Sequence, residues 1–183
     1  RDKVVITIDG ASSKDLDDAV SLERDGLGRW VLGVHIADVS HYVRPGSALD
    51  LEAWERGTSV YFADQVVPML PRELSNGICS LNPRVDRLAL SCVMTLTPEG
   101  EVVDHTIAKS VIRTTERMTY EDCNALLAHS DPALAERYAR ILPMLEDMAA
   151  LSRVLEGRRR RRGALELDTR ESYVVCDESG TPV

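Results

Sequence analysis

The apolar residues of the first third of the chain come in short runs separated by turn residues. Residues 4–8 read Val-Val-Ile-Thr-Ile, and residues 19–23 and 30–39 are also mainly apolar. Runs of this length that are rich in β-branched residues predict strands. Residues 25–28, Asp-Gly-Leu-Gly, predict a tight turn between the second run and the third. The pattern therefore predicts three successive strands in an antiparallel portion of sheet.

Further strands are predicted downstream. Residues 87–97 and 102–115 are β-rich, and Pro98-Glu99-Gly100 between them is typical of a hairpin turn. Residues 59–62 and residues 172–176 predict two shorter strands. Strands in the first part of the chain are thus followed by a helix and then by more strands.

Three helices are predicted, over residues 48–56, 120–128 and 132–162. Ser47 and Thr119 stand where N-caps are expected, and Asp122 completes a capping-box pattern with Thr119. The longest helix keeps an apolar face at three- or four-residue spacing, and Pro143 should kink it. The order of elements predicts an α+β fold, a mixed and largely antiparallel twisted sheet with flanking helices.

Composition narrows the class of protein. The chain has 183 residues, of which 44% are hydrophobic and 28% charged, as in an ordinary globular domain. No apolar run is long enough to span a membrane, and the first residues do not form a signal peptide. Because the chain lacks an initiator Met and enters a strand within a few residues, we expect it to be part of a longer protein.

The cysteines and the net charge say little about which ligand or partner the protein binds. The four cysteines are widely spaced with no C-x-x-C pair, which favours reduced thiols in a cytoplasmic protein over a zinc site. A formal net charge of −8 normally argues against a nucleic-acid partner. Four clustered aspartates supply half of that charge, however, and bound metal would neutralise them. Net charge therefore does not decide the partner.

The aspartates lie between the first two predicted strands, at Asp9, Asp15, Asp17 and Asp18. A solvated turn is one interpretation, because Asp favours turns. A divalent-metal site is the alternative, since Mg²⁺ prefers carboxylate oxygens and crowded carboxylates without metal repel one another. An EF-hand loop starting at Asp15 is excluded, because Val20 and Gly26 occupy the positions that require Gly and Glu.

The stretch "TIDGASSKDLDDAV" resembles the signature of the RNB catalytic domain of the ribonuclease II and ribonuclease R family of 3′-to-5′ exoribonucleases. Three further runs agree with the family in order and spacing: "VHIADVSHYVRPGSALDLEAWERGTSVYF", "VPMLPRELSNGICSLNPRVDRLALSCVMTL" and "ERMTYED". "HYVRPGS" and "TSVYF" are more similar to ribonuclease R. The resemblance covers essentially the whole chain. It implies that residues 1–183 are the N-terminal portion of one RNB domain, a partial RNB fold without the flanking cold-shock and S1 domains.

The resemblance also implies an activity. Family members hydrolyse single-stranded RNA processively to nucleoside 5′-monophosphates by a two-metal mechanism with Mg²⁺, for which Mn²⁺ can substitute. Asp9, Asp15, Asp17 and Asp18 match the four active-site aspartates of the family, and Asp17 matches the one most essential to cleavage. The family's catalytic arginine lies in the second half of the domain, so we expect this chain alone to be inactive. The parent is expected to be a monomeric cytoplasmic enzyme without a membrane segment.

Three further positions match family residues that handle RNA. Tyr61 matches the aromatic residue that stacks on the 3′-terminal base, although a strand tyrosine is more often a core residue. Tyr120 matches a position near the ribose, although alone it is typical of a helix start. Leu167 stands where the family commonly has the Phe that completes the aromatic clamp, which predicts a weaker clamp.

Several alternatives stay open from the sequence. A catalytically silent RNB-like protein that binds RNA or regulates is the main one, and a phosphohydrolase for small phosphoesters is another. The arginines at 158–162 suit both the C-terminal dipole of a helix and contact with phosphate. His35 is expected to be packed or hydrogen-bonded within the sheet, and Asp38 to support the aspartate loop at most.

Overall fold

A six-stranded sheet forms the centre of the structure, a computed structural model that describes residues 3–62, 65–165 and 174–177. Its strands are β1 (Ile6–Asp9), β2 (Asp18–Arg24), β3 (Trp30–Ala37), β6 (Asp86–Leu96), β7 (Val102–Arg113) and β8 (Glu116–Thr119). They are arranged in the order β7-β6-β3-β2-β1-β8. Every neighbouring pair is antiparallel except β1 and β8, which are parallel. The predicted α+β fold with a mixed, largely antiparallel sheet is confirmed.

The remaining elements are short except for one helix. The helices are α1 (Val39–Tyr42), α2 (Ala48–Arg56), a π-helix (Glu73–Ile78), α3 (Tyr120–Leu127), α4 (Pro132–Arg137) and α5 (Leu142–Arg161). Strands β4 (Val60–Tyr61) and β5 (Val66–Val67) form a separate two-stranded hairpin. Among the helices that the structure describes, none has the length and hydrophobicity needed to cross a membrane.

The sheet buries apolar residues on both faces, because side chains alternate along each strand. On one face Ile6, Leu22 and Trp30 pack with residues of α3 and α5 such as Leu126 and Leu145. The opposite face carries a smaller core, to which Val5 just before β1, Ala19 of β2 and Leu16 of the acidic loop between β1 and β2 contribute. That core contains Val5, Leu16, Ala19, Ala37, Cys79, Leu81, Ala89 and Ile112. The loop between β1 and β2 is thus part of a core, although it is rich in aspartate.

The predicted caps are present. The Ser47 and Thr119 hydroxyls accept from the backbone nitrogens of Asp50 and Asp122, at 3.3 and 3.0 Å. The predicted single helix over 132–162 is wrong: α4 ends at Arg137 and α5 begins at Leu142. Pro143 does not kink a continuous helix, because it lies in the first turn of α5, where a missing N–H costs no hydrogen bond.

Two other predictions differ from the structure or fall outside it. Strand β8 was not expected as a separate element, since its four residues directly precede a helix and pair with a strand far away in sequence. The predicted strand over 172–176 lies only partly within the described residues. Leu167 lies outside them.

The interior of the sheet holds one buried histidine, as predicted for His35. Its Nε2 lies 3.2 Å from the Ser21 hydroxyl and its Nδ1 lies 2.6 Å from the Ser91 hydroxyl. The Ser91 hydroxyl is in turn 2.6 Å from that of Ser110. This polar chain links four neighbouring strands, from β2 to β7. Burial lowers the pKa of His35, and so does the charge of Lys3, so the neutral ring is favoured.

Candidate active site at the acidic loop

The four aspartates flank the connection between two neighbouring strands. Asp9 is the last residue of β1, Asp18 is the first of β2, and Asp15 and Asp17 lie in the loop between them. Because β1 and β2 are antiparallel neighbours, the C-terminal end of β1, which carries Asp9, lies beside the N-terminal end of β2, which carries Asp18. The structure therefore places all four carboxylates around one strand-to-strand connection.

Leu16 anchors the centre of this loop. Its side chain is only 1% exposed and packs in the smaller core. Its backbone nitrogen donates to the Ser80 hydroxyl at 3.1 Å, and its carbonyl accepts from the Leu81 nitrogen at 2.8 Å. The Ser80 hydroxyl also donates to the Lys14 carbonyl at 2.9 Å. The loop is fixed from within, while Asp17, next to Leu16, keeps its side chain exposed.

A second tether comes from β8. Arg117 pairs in register with Thr7 of β1, and its Nη2 donates to the carbonyls of Gly10 and Ala11, at 3.0 and 2.8 Å. One guanidinium therefore holds the first turn of the loop and places a positive charge beside Asp9. The loop is fixed at its start by Arg117 and at its centre by Ser80 and Leu81.

Electrostatics separate two of the aspartates from ordinary surface carboxylates. Burial, followed by the charge of Asp18, raises the pKa of Asp9, while the charge of Arg117 opposes this rise. Burial also raises the pKa of Asp17, and the charges of Asp15, Asp18 and Asp9 act in the same direction. The side chain of Asp17 is nevertheless exposed by surface area, so we attribute more of its shift to the neighbouring carboxylates than to burial. The neighbouring carboxylates therefore disfavour the ionisation of Asp9 and of Asp17.

The donor set suits a hard divalent cation in chemistry. Carboxylate oxygens are what Mg²⁺ prefers, and the Oδ2 atom of Asp9 is buried with no hydrogen-bond partner. An unpaired buried carboxylate oxygen is costly unless a cation completes it. Within the described residues, however, no three Asp, Glu, His or Cys side chains converge into a closed metal-binding set. The loop brings the four carboxylates to one strand-to-strand connection, but no three of them converge on one point.

A cleft of about 630 Å³ joins this loop to the predicted base-stacking residue. Its lining includes Asp15 and Lys14 of the loop, Tyr61 of β4, and Arg72 and Asn76 around the π-helix. Tyr61 is 67% exposed, which excludes the interpretation of this tyrosine as a core residue. The structure thus brings Tyr61 and an aspartate of the loop to the same cavity.

The hairpin that carries Tyr61 is held by two side-chain hydrogen bonds in addition to its strand pairing. Arg72 donates from Nη2 to the carbonyl of Val66, the residue paired with Tyr61, at 3.2 Å. The Ser59 hydroxyl accepts from the Met69 nitrogen at 3.0 Å. Since β4 and β5 have only two residues each, these contacts rather than strand pairing fix the direction of the hairpin.

Tyr120 is near the loop but does not line the cleft. It opens α3 directly after Thr119, and Thr119 pairs in register with Asp9. Its side chain is 58% exposed. Tyr120 is therefore available at the edge of the sheet where β1 ends, and its role in RNA binding stays a prediction.

Sequence reasoning missed the residues that hold the site in place. Ser80, Arg117 and Arg72 lie in runs that resemble the family, but neither their residue types nor their spacing indicates a structural contact, so only the fold reveals their roles. Asp38 does not touch the loop aspartates in any described contact. It accepts from the Ser40 hydroxyl at 2.7 Å and pairs with Lys109 at 3.1 Å, and these contacts lower its pKa.

Comparison with known proteins gives one consistent result. A family profile described as the RNB domain matches residues 1–183. Ribonuclease R 1 of Lactococcus lactis is 55% identical over 183 residues, which is 100% of this chain and 22% of that protein. The chain spans only about a quarter of the curated relatives it matches, between 22% and 28% for the first three.

Solved structures agree. Two structures of Mycoplasma genitalium RNase R, one with double-stranded RNA and one with ribose-methylated single-stranded RNA, match with a TM-score of 0.90 and 32% identity. The match covers 100% of this chain and 32% and 28% of those chains. Yeast Ssd1, described as a pseudonuclease, matches with a TM-score of 0.73 and 22% identity over 86% of this chain and 18% of its own. That last likeness concerns the fold alone.

Proposed function

Because this chain belongs to the RNB-domain family, we propose that it forms part of the catalytic domain of a 3′-to-5′ exoribonuclease. The substrate is single-stranded RNA, and the products are nucleoside 5′-monophosphates released processively. The observation that carries this proposal is the shared cleft, in which Asp15 of the acidic loop and the exposed ring of Tyr61 line one cavity. Relatives named ribonuclease R and solved with RNA support it.

Asp9, Asp15, Asp17 and Asp18 are the residues that would hold divalent metal, with Mg²⁺ the proposed ion and Mn²⁺ able to substitute. When bound, a pair of such ions supplies an activated water and charge neutralisation at the scissile phosphate. The chain's own contribution is to keep the carboxylates in place. Leu16 and Ser80 fix the centre of the loop, and Arg117 fixes its start.

Tyr61 is proposed to stack on the base at the 3′ end. An exposed ring at a cleft wall offers a flat surface to any base, and stacking tolerates all sequences, which suits a processive enzyme. Arg72 keeps the Tyr61 hairpin in position through Val66. Tyr120 is proposed to contact the RNA near the ribose, at the end of β1.

The proposal extends to the whole protein. We expect the isolated chain to be inactive or nearly so and the longer parent to be active, monomeric and cytoplasmic. The rival proposal is a catalytically silent RNB-like protein that binds RNA. The four aspartates, with an unpaired buried oxygen on Asp9, favour the enzyme, since a binding protein gains nothing from repelling carboxylates.

A labelled-RNA assay on the full-length protein tests the proposal. We expect single-stranded RNA carrying a 5′ label to shorten from its 3′ end with Mg²⁺ or Mn²⁺, and Asp17→Asn to abolish cleavage while RNA is still bound. The matched control is Asp104→Asn. It removes one exposed carboxylate from β7, an outermost strand of the sheet that does not adjoin β1 or β2. Degradation in excess chelator would refute the metal assignment. Binding with no cleavage under any metal would favour the silent RNA-binding protein.

A further inference from the structure

A basic cavity lies at the other end of β8 from the acidic loop. It has a volume of about 540 Å³. Its lining includes Lys3, Arg84, Arg113, Arg140, Glu116 and Thr114. Four cations and one carboxylate thus surround it, in a chain whose formal net charge is −8. The local excess of positive charge is opposite to the charge of the whole chain.

The four cations come from four separate parts of the fold. Lys3 precedes β1, and Arg84 lies between the π-helix and β6. Arg113 is the last residue of β7, and Arg140 lies between α4 and α5. Bringing like charges together from distant positions costs energy unless anions compensate for it. Three of the cations have partners: Arg84 pairs with Glu116 at 2.7 Å, Arg113 pairs with Asp86 at 2.8 Å, and Lys3 pairs with Glu23.

Arg140 differs from the other three cations. Among the described residues it makes no hydrogen bond or ion pair, and its side chain is exposed at the cavity. An unpaired guanidinium next to three other cations is a strong donor set for an incoming anion. Among the four cations of the cavity, Arg140 is therefore the one whose charge the described residues neutralise least.

Two further features lie at the same cavity, the backbone conformation of Arg84 and the buried hydroxyl of Thr114. Arg84 has a φ of 66°, in the left-handed region that residues other than glycine rarely occupy, and its nitrogen donates to the Thr114 carbonyl at 2.8 Å. Such backbone outliers are concentrated at functional sites. The Thr114 hydroxyl is buried and has no hydrogen-bond partner, although Thr114 lines the cavity.

The cavity is separate from the acidic loop but lies along the same pair of strands. Glu116 pairs with Ile6 and Thr119 pairs with Asp9. Three strand residues, or about 10 Å, therefore separate the edge of the cavity from the end of β1. The cavity and the acidic loop thus lie at opposite ends of the β1–β8 pair.

We propose that this basic cavity binds the phosphodiester backbone of the RNA strand on the 5′ side of the nucleotide that is being removed. This inference rests on the proposed function, because the ligand is the same RNA. Guanidinium groups contact phosphate oxygens through paired N–H donors, and such contacts position a strand without reading its sequence. The site therefore contributes affinity that is independent of sequence and sensitive to salt.

Binding measurements on the full-length protein test this site. RNA affinity is measured without divalent metal over a series of monovalent salt concentrations, for Arg140→Gln and for the wild type. Each lost phosphate contact should reduce the slope of log K against log salt by about 0.7 for a single strand. We expect that reduction in Arg140→Gln, with affinity weakened about equally for RNAs of different sequence.

Two matched variants complete the design. Arg140→Lys keeps the positive charge and should keep most of the slope. Arg153→Gln removes an exposed arginine of α5 outside the cavity and should leave the slope unchanged. An unchanged slope in Arg140→Gln, or an equal reduction in Arg153→Gln, would overturn the proposal.

The failure of this inference is distinguishable from the failure of the proposed function. If the protein cleaves RNA but Arg140→Gln binds with the wild-type slope, the cavity is refuted and the enzyme stands. If RNA is bound with a slope that depends on Arg140 but is never cleaved, the cavity stands and the catalytic proposal falls. If no RNA is bound at any salt concentration, both are refuted.

Discussion

The hydroxyl of Ser80 lies 3.1 Å from the backbone nitrogen of Leu16, at the centre of the acidic loop. Ser80 is fully buried, so its hydroxyl is not replaced by solvent when the side chain is shortened. The same oxygen donates to the Lys14 carbonyl. One small side chain therefore satisfies two backbone groups of the loop that carries the proposed metal ligands.

Ser80→Ala should destabilise the protein and loosen the loop. An unsatisfied buried backbone group costs about 1–3 kcal/mol. We expect a lower midpoint in chemical unfolding and weaker binding of Mg²⁺ in calorimetry. The control is Ser130→Ala, because the Ser130 hydroxyl makes a single exposed bond to the Ala125 carbonyl. Equal effects of the two substitutions would contradict a special role for Ser80.

Asp17→Asn should stabilise the metal-free protein at neutral pH. The raised pKa of Asp17 means that its ionised form is disfavoured in the native state, by burial and by Asp15, Asp18 and Asp9. As pH falls through the raised native pKa, the native state takes up a proton before the unfolded state does. The advantage of Asn is therefore fully present above the native pKa and is lost as pH falls towards the ordinary value of 3.8.

Unfolding of wild type and Asp17→Asn across this pH range measures the effect. Saturating Mg²⁺ should reverse the order, because bound ligand stabilises only the protein that retains its carboxylates. Asp104→Asn should follow the wild type at every pH. A metal-free Asp17→Asn that is less stable than the wild type at neutral pH would contradict the raised pKa.

The strands were predictable because their signal is local. Short apolar runs rich in β-branched residues identified β1, β2, β3, β6 and β7 with small errors at their ends. The break between α4 and α5 was not predictable from the same kind of pattern. The apolar spacing continues through Tyr138 and Ile141, which are buried although they lie outside both helices. Both side chains are buried by tertiary packing, so their apolar spacing continues although the backbone between α4 and α5 is not helical.

The sequence identified the aspartates and Tyr61 of the candidate site but not the residues that hold them in place. Four aspartates around a strand end have a chemical meaning that the sequence displays directly. Their supports are 64 residues away at Ser80 and 107 residues away at Arg117. Nothing in the spacing of a lone serine or arginine identifies such a partner, because both contacts depend on tertiary structure. Arg117 reaches the loop through the parallel pairing of β8 with β1, and Ser80 reaches it through the segment between the π-helix and β6. The basic cavity was missed for the same reason.

Tyr61→Ala should weaken the hold on the 3′ end of RNA and alter the size of the final product. Stacking of one base on an aromatic ring contributes about 1–3 kcal/mol. Tyr61→Phe keeps the ring and should behave like the wild type. Trp54→Ala is the control, since Trp54 is an 87% exposed aromatic residue of α2 that does not line the cleft. A product ladder unchanged by Tyr61→Ala would remove Tyr61 from the site.

Gly33→Ala should destabilise the sheet by steric conflict with the polar chain through His35. A Cβ atom at Gly33 would lie 2.4 Å from the Ser21 hydroxyl and 2.8 Å from His35 Nε2. Both atoms belong to the hydrogen bond between β2 and β3, so relieving the clash breaks that bond. Overpacking of this kind costs about 1–3 kcal/mol.

Gly26→Ala is the matched control, because nothing lies within 4 Å of its added Cβ. Urea unfolding should show a lower midpoint for Gly33→Ala and a change within about 0.5 kcal/mol for Gly26→Ala. The clash is steric and does not depend on charge, so the difference between the two variants should persist at high salt. If Gly33→Ala unfolds at the wild-type midpoint, the hydroxyl of Ser21 is free to move, and the His35 chain does not order the sheet beneath the acidic loop.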